Sequence, residues 1–409
     1  MTPEGWEQTS VGDVLVRQSK PVEVDESVEY RQIGIRSHGK GIFDKEAVTG
    51  AELGGKRVFW IEPDCFVVNI VFAWEQAVSR TTNADVGKIA SHRFPMFRPR
   101  EMRCDVRFIE YFFKTPRGKY LLGIASPGGA GRNKTLGQKE FERVPLTLPP
   151  LIEQQKIADI LSTWDQAIEK TEALLSNART QKRALMQQLL TGKRRFPAFE
   201  GQPWKEVRLG DVADVIVSNV DKKSQPGELP VRLCNYTDVF KRDTINPTQD
   251  FMSATAKPAQ IDKFGLRVGD VIITKDSETA AEIAMPTYVA ATADDLVCGY
   301  HLAIIRPHAN VAGRFLKFFF DLPHTRYYFG TRANGAIRFG LTIDGIEGAL
   351  MNLPPKDEQD QIAAVIAVAE DAIADLVAEI SKLHTEKKAL MQQLLTGKRR
   401  VKVEDHHAV

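Results

Sequence analysis

Apolar residues recur at alternating four- and three-residue spacings over two long stretches, and this pattern organises the whole chain. The first seam runs Ile157, Leu161, Trp164, Ile168, Thr171, Leu175, Ala178, Lys182, Leu185, Leu189. The second runs Ile362, Ile366, Ala369, Ile373, Leu376, Ile380, Leu383, Lys387, Leu390, Leu394. A 3.5-residue period held this long marks helices that pair along one seam, rather than two surface helices each packed on its own domain. Both stretches are punctuated alike. Pro149-Pro150 and Pro354-Pro355 suit a first helical turn, Glu153 and Glu358 favour the positive end of the macrodipole, and Gly192 and Gly397 supply left-handed caps. Neither stretch holds an internal glycine or proline, so each predicts an unbroken helix of roughly 60 Å.

The two stretches are copies. Leu148-Pro149-Pro150 recurs as Leu353-Pro354-Pro355, an offset of 353 − 148 = 205, and 25 of the 48 positions from 148 to 195 are identical at that offset. The twelve residues Ala184 to Arg195 recur unchanged as Ala389 to Arg400. Upstream the likeness is weaker: Trp6 with Gly12-Asp13-Val14 matches Trp204 with Gly210-Asp211-Val212. The expected organisation is a first module over 1–147, a helix over 148–195, a linker over 196–203, a second module over 204–352, a second helix over 353–400 and a tail over 401–409. The expected fold is α+β: two mixed α/β modules separated by two helices that pair as an antiparallel coiled coil, with pseudo-twofold symmetry.

Within the modules, Val58-Phe59-Trp60-Ile61, Phe66 to Val71, Val271 to Thr274 and His301 to Ile305 read as strands. Arg107 to Lys114 and Arg314 to Leu322 read as apolar helices of the core. Each module ends in a loop of glycines and basic residues at the same offset, Pro127 to Thr135 and Arg332 to Gly340. Glycine lets the backbone approach a phosphate, while Arg, Lys and Asn bond phosphates or base edges. Arg132, Asn133, Lys134, Asn334 and Arg338 are therefore candidate DNA contacts. A second basic stretch adds Arg31, Arg36 and Lys40, with Arg232, Asn235 and Tyr236 as its counterparts.

Composition removes alternatives. The formal charge of +2 neither requires nor excludes a nucleic acid, because the placement of charge matters more than its sum. No apolar run is long enough to span a membrane, and the first residues lack the basic and apolar regions of a secretory signal. Cys65, Cys104, Cys234 and Cys298 stand far apart, which fits a reduced, cytoplasmic protein better than a disulfide or zinc framework. Gly50 to Lys56 imitates a phosphate-binding loop, but Arg57 stands where the magnesium-binding hydroxyl belongs, so a structural turn is expected. Asn352-Leu353-Pro354-Pro355 has the wrong order for an amino-methyltransferase motif, and Gly129 and Gly131 lack the third glycine of a dinucleotide fingerprint. Neither a catalytic site nor a metal or cofactor site is expected in this chain.

Leu-Pro-Pro-x-x-Glu-Gln at 148–154 and 353–359, Leu-Met-Gln-Gln-Leu-Leu-Thr-Gly at 185–192 and 390–397, and Gly-Asp-Val at 12–14 and 210–212 resemble the specificity subunits of type I restriction–modification systems. The resemblance covers essentially the whole chain. It implies two target recognition domains on double-stranded DNA, each reading one half of an asymmetric bipartite site, with the helix pair as the ruler for the gap. It further implies two methyltransferase subunits using S-adenosylmethionine, packed on the helices, and two restriction subunits using ATP and magnesium. DNA methylation and phage defence are the corresponding roles. A type IIB-like specificity subunit and a coiled-coil scaffold with two protein-binding modules are the alternatives left open.

Overall fold

The computed structural model describes residues 3–128, 134–335 and 337–402. The chain divides into two compact units, Met1–Glu172 with Ala378–Val409, and Ala173–Val377. The two long helices, Leu151–Leu189 and Lys356–Leu394, are each 39 residues long and each contributes one half to either unit.

All twenty seam positions are buried or half-buried, whereas most other positions of the two helices are exposed. In the first unit Ile157, Ala158 and Leu161 share a core with Leu394 and Leu395. In the second, Met186, Leu189 and Leu190 share one with Ile362, Ala363 and Ile366. The start of one helix thus meets the end of the other in each unit, which is antiparallel pairing. The two cations in the apolar seams have mirrored partners. Lys182 Nζ lies 2.7 Å from Glu370 Oε1, and Lys387 pairs with Asp165, where 165 + 205 = 370 and 182 + 205 = 387. A charged pair in an otherwise apolar seam penalises any shifted pairing and so specifies the register. Lys317, itself buried, adds a bond to Glu370 at 2.8 Å. Burial works against its charge, but Asp321, Glu370 and Asp243 together raise its pKa.

The repeated Leu-Pro-Pro-x-x-Glu-Gln joins helix to module. Gln154 donates to Pro149 O (2.9 Å) and accepts from Asp105 N (3.0 Å). Gln359 donates to Pro354 O (2.9 Å) and accepts from Ala312 N (2.8 Å). Each glutamine thereby pins the start of a module helix, Val106–Phe113 or Gly313–Asp321. The neighbouring glutamates receive the arginine that follows the opposite helix: Arg400 to Glu153 and Arg195 to Glu358. Gly192 (φ 69°) and Gly397 (φ 68°) turn the chain out of the helices in the left-handed region, where a side chain would be strained.

The first module is built on an antiparallel sheet in the order Leu15–Gln18, Met96–Pro99, Phe66–Val68, Val78–Arg80. Phe66, Phe97, Phe113 and Phe141 pack against one another beside it. The second has a five-stranded sheet, Ala213–Val217, Leu302–Pro307, Val271–Thr274, Pro286–Val289, Thr244–Ile245. A three-stranded sheet adds Met252–Ala256, Leu229–Cys234 and Leu296–Cys298. Each module closes where its first strand pairs with its last, Glu7 opposite Leu148 and Lys205 opposite Leu353. The imitation phosphate loop is a short helix, Gly50–Leu53. A Cβ on Gly50 would come within 1.9 Å of Asp25 O, so close backbone packing accounts for that glycine.

Candidate nucleic-acid interface

In the second unit the parallel strands Leu229–Cys234 and Leu296–Cys298 end side by side, and the chain leaves the core at that edge. Other segments are tied to the same edge through the backbone. Tyr300 N donates to Val220 O (2.8 Å), Lys275 N to His301 O (2.9 Å), and Leu341 N to Lys275 O (3.0 Å). Asn334 and Gly340 exchange two bonds of 3.0 and 2.9 Å, closing a hairpin that carries Asn334 and Arg338, both exposed. Its strand Phe339–Gly340 pairs with Asp276–Ser277. Tyr236 reaches the same place, its hydroxyl 3.1 Å from Ser277 Oγ and 3.2 Å from Glu282 Oε2. Burial raises the Tyr236 pKa and keeps that hydroxyl a proton donor.

Asp276 is the hub of the edge, bonded to Lys275 Nζ and to His301 Nδ1, each at 2.8 Å. Burial pushes its carboxyl up, but the bonds from Lys275 and His301 outweigh this and hold the pKa below the ordinary value. His301 adopts φ 73°, an uncommon conformation for a residue with a side chain, and its ring lies 3.7 Å from that of Tyr300. Two further candidates are turned into the protein, one paired there and one not. Arg232 is held by Asp295 at 2.8 and 2.7 Å and donates to Pro247 O at 2.6 Å. Asn235 is buried at the start of the helix Tyr236–Lys241, with no partner for its Oδ1 among the described residues.

In the first unit, Arg36 and Lys40 sit at the tip of the hairpin formed by Ile33–Ile35 and Ile42–Asp44, both exposed. The tip is fixed to the turn at Trp74–Gln76: His38 N donates to Glu75 O (2.6 Å), Gly39 N to Gln76 O (2.8 Å), and Ser37 Oγ to Glu75 Oε2 (2.9 Å). Lys134 Nζ stands 5.7 Å from the Trp74 ring centre, so the hairpin and the end of the glycine-rich loop meet on one turn. Arg36 lies over Phe43 (4.8 Å) and Lys45 over Phe94 (5.5 Å). Arg31, also exposed, precedes the hairpin. Arg132 and Asn133 lie outside the described residues. Cations backed by aromatic rings are held in place while their N–H groups remain open to phosphates or base edges.

The residues 63–176 match the family described as "Type I restriction modification DNA specificity domain". The chain is similar to the specificity subunits of type I restriction enzymes. It is 23% identical over 313 residues to the putative type I restriction enzyme MjaX specificity subunit of Methanocaldococcus jannaschii, covering 75% of this chain and 71% of that protein. The solved S subunit of the type I system of M. genitalium superposes with a TM-score of 0.60 at 12% identity, over 96% of this chain and 99% of that one. A chain solved in work on complex assembly and conformational transition of a type I system gives a TM-score of 0.56 at 18% identity, over 98% of this chain and all of that one. At these identities the structural likeness establishes the fold. Among the described residues no helix is long and apolar enough to cross a membrane. The four thiols are free and buried.

Sequence reasoning did not single out Arg93, Lys45, Lys275, Tyr300 or His301, which the fold brings to these edges. Their signal in the sequence is faint. They stand singly, or as the one pair Tyr300-His301, beside apolar strands, and backbone bonds between distant segments gather them.

Proposed function

We propose that this subunit reads an asymmetric bipartite site on double-stranded DNA, one half with each module, and brings two methyltransferase subunits to it. The observation that carries this reading is a repeated frame bearing unlike edges. The Gln154 and Gln359 anchors and the Arg–Glu pairs recur residue for residue, and the helix seams recur position for position. The exposed edges do not: one presents Arg36, Lys40 and Lys134, the other Tyr236, Asn334 and Arg338. A repeated frame suits two copies of one partner, and unlike edges suit two different half-sites. Off the seams, Ile152, Leu174, Val365, Val368 and Val377 are exposed and offer apolar area for such a partner. In this reading S-adenosylmethionine, and ATP with magnesium, belong to the partner subunits.

The test is co-expression with a type I modification subunit from the same genome, followed by methylation-sensitive sequencing. A split motif with two different halves is expected. In binding assays the logarithm of affinity should fall steeply with that of salt, by about 0.9 for each phosphate neutralised. A protein-binding scaffold would give no methylated motif and little salt-dependent affinity.

A further inference from the structure

The two edges share a junction that constant-offset alignment conceals. In the first unit Ile70 N donates to Arg93 O (3.0 Å) and Leu136 N donates to Ile70 O (2.8 Å). In the second, Lys275 N donates to His301 O (2.9 Å) and Leu341 N donates to Lys275 O (3.0 Å). Two of the three residues correspond at the offset of the repeat, 70 + 205 = 275 and 136 + 205 = 341. The third does not, since 93 + 205 = 298, and the second module carries three additional residues before it. The same three-segment ladder therefore stands in both modules, with Arg93 in one occupying the position of His301 in the other.

The geometry points to Arg93 and His301 as equivalent specificity-determining residues, one for each half-site; the inference rests on the DNA-reading function proposed above. Both backbones are pinned through the carbonyl, so the side chains rise from a fixed base at the edge where the loops gather. Arg93 is exposed, and no described side chain pairs with its guanidinium. That leaves its donor fork free for the N7 and O6 acceptors of a guanine. His301 is oriented by other means. Its Nδ1 is bonded to the Asp276 carboxylate, its ring is set against Tyr300, and its left-handed backbone is held by the bonds from Lys275 and Asp276 to its carbonyl. Strain retained at a fixed, part-exposed side chain is characteristic of functional positions. With Asp276 accepting the Nδ1 proton, Nε2 has no partner among the described residues. It can accept from an adenine or cytosine amino group when the ring is neutral, or donate to a purine when it is charged. The modules would then differ in their reading because one junction carries a fixed donor fork and the other a single oriented nitrogen.

The experiment uses the complex with its modification subunit and compares R93A, R93K, H301A and H301Q with the wild type. Methylation-sensitive sequencing reads the motif, and anisotropy titrations on duplexes bearing it read affinity and salt slope. Arg93 variants are expected to relax one base pair of one half-site, discrimination there falling about tenfold, the other half unchanged. R93K should relax the motif as R93A does while retaining the salt slope, because lysine keeps the charge and loses the fork. His301 variants should relax the opposite half-site. Uniform weakening on all sequences with a shallower salt slope would make Arg93 a phosphate contact and overturn the assignment. Variants that keep the full motif at wild-type affinity would overturn it as well, with the proposed function intact. A wild-type complex without a split motif would overturn the proposed function and this inference together.

Discussion

Replacing Arg195 with alanine is expected to destabilise the second unit by about 3 kcal/mol or more, the cost of leaving a buried charge without its partner. The Glu358 side chain has no exposed surface, and Arg195 meets both its oxygens, at 2.5 and 2.8 Å. The remaining guanidinium donors reach Gln202 O (3.0 Å) and Phe199 O (2.8 Å), and the group lies 5.3 Å from the Trp204 ring centre. Without it, Glu358 retains the Trp204 Nε1 bond at 3.0 Å and the favourable field of the helix start, too little to replace a bidentate partner. The mirrored R400A should cost less, because Arg400 is 43% exposed where Arg195 is 19% exposed, so solvent already screens its pair with Glu153. Urea melts of the two variants would rank them. The double variant R195A/E358L should recover much of the loss, since an apolar pair demands no charge compensation. Equal, small losses in R195A and R400A would show that neither pair holds a helix end in place.

The helix pair was legible in the sequence because its determinants are local and recur: a fixed apolar period, proline and glycine punctuation, and a twelve-residue identity. Even Lys182 and Lys387, odd in an apolar seam, fell on it, and the acids opposite them explain why they are tolerated. The work of Glu153, Gln154, Glu358 and Gln359 was not legible, because their partners come from the opposite helix end or from a module helix about fifty residues away. The same limit governs the edges. Arg36 and Lys40 stood out as basic residues among turn formers, and the hairpin leaves them exposed. Arg232 looked equivalent by charge alone, yet Asp295 on a distant loop claims its guanidinium. His301 read only as the first residue of a strand. Its role depends on Asp276, Tyr300 and a shift of three residues that no local pattern records.

Removing residues 172–178 and 377–383 together is expected to shorten the gap of the recognised site by about three base pairs, or to abolish methylation, without changing either half-site. The deletion takes one heptad from the middle of each helix, so both seams stay in phase. It spares the pairs that set the register, Lys387 with Asp165 in the first unit and Lys182 with Glu370 in the second. Both helices pass unbroken from one unit into the other, so one heptad removes about 10.5 Å of helix. About 3.4 Å of rise per base pair converts this to three base pairs. Three base pairs also turn the duplex through roughly a quarter of a revolution or more, which is why loss of methylation on any gap length is the other expected outcome. Deleting two residues from each helix instead turns the following seam by about 200°, away from its partner, and should cost stability rather than change the gap. The measurement is methylation-sensitive sequencing beside thermal melts of both deletions. A heptad deletion that methylates the original motif at the original gap would remove the helices from any part in spacing the half-sites, whatever the modules read.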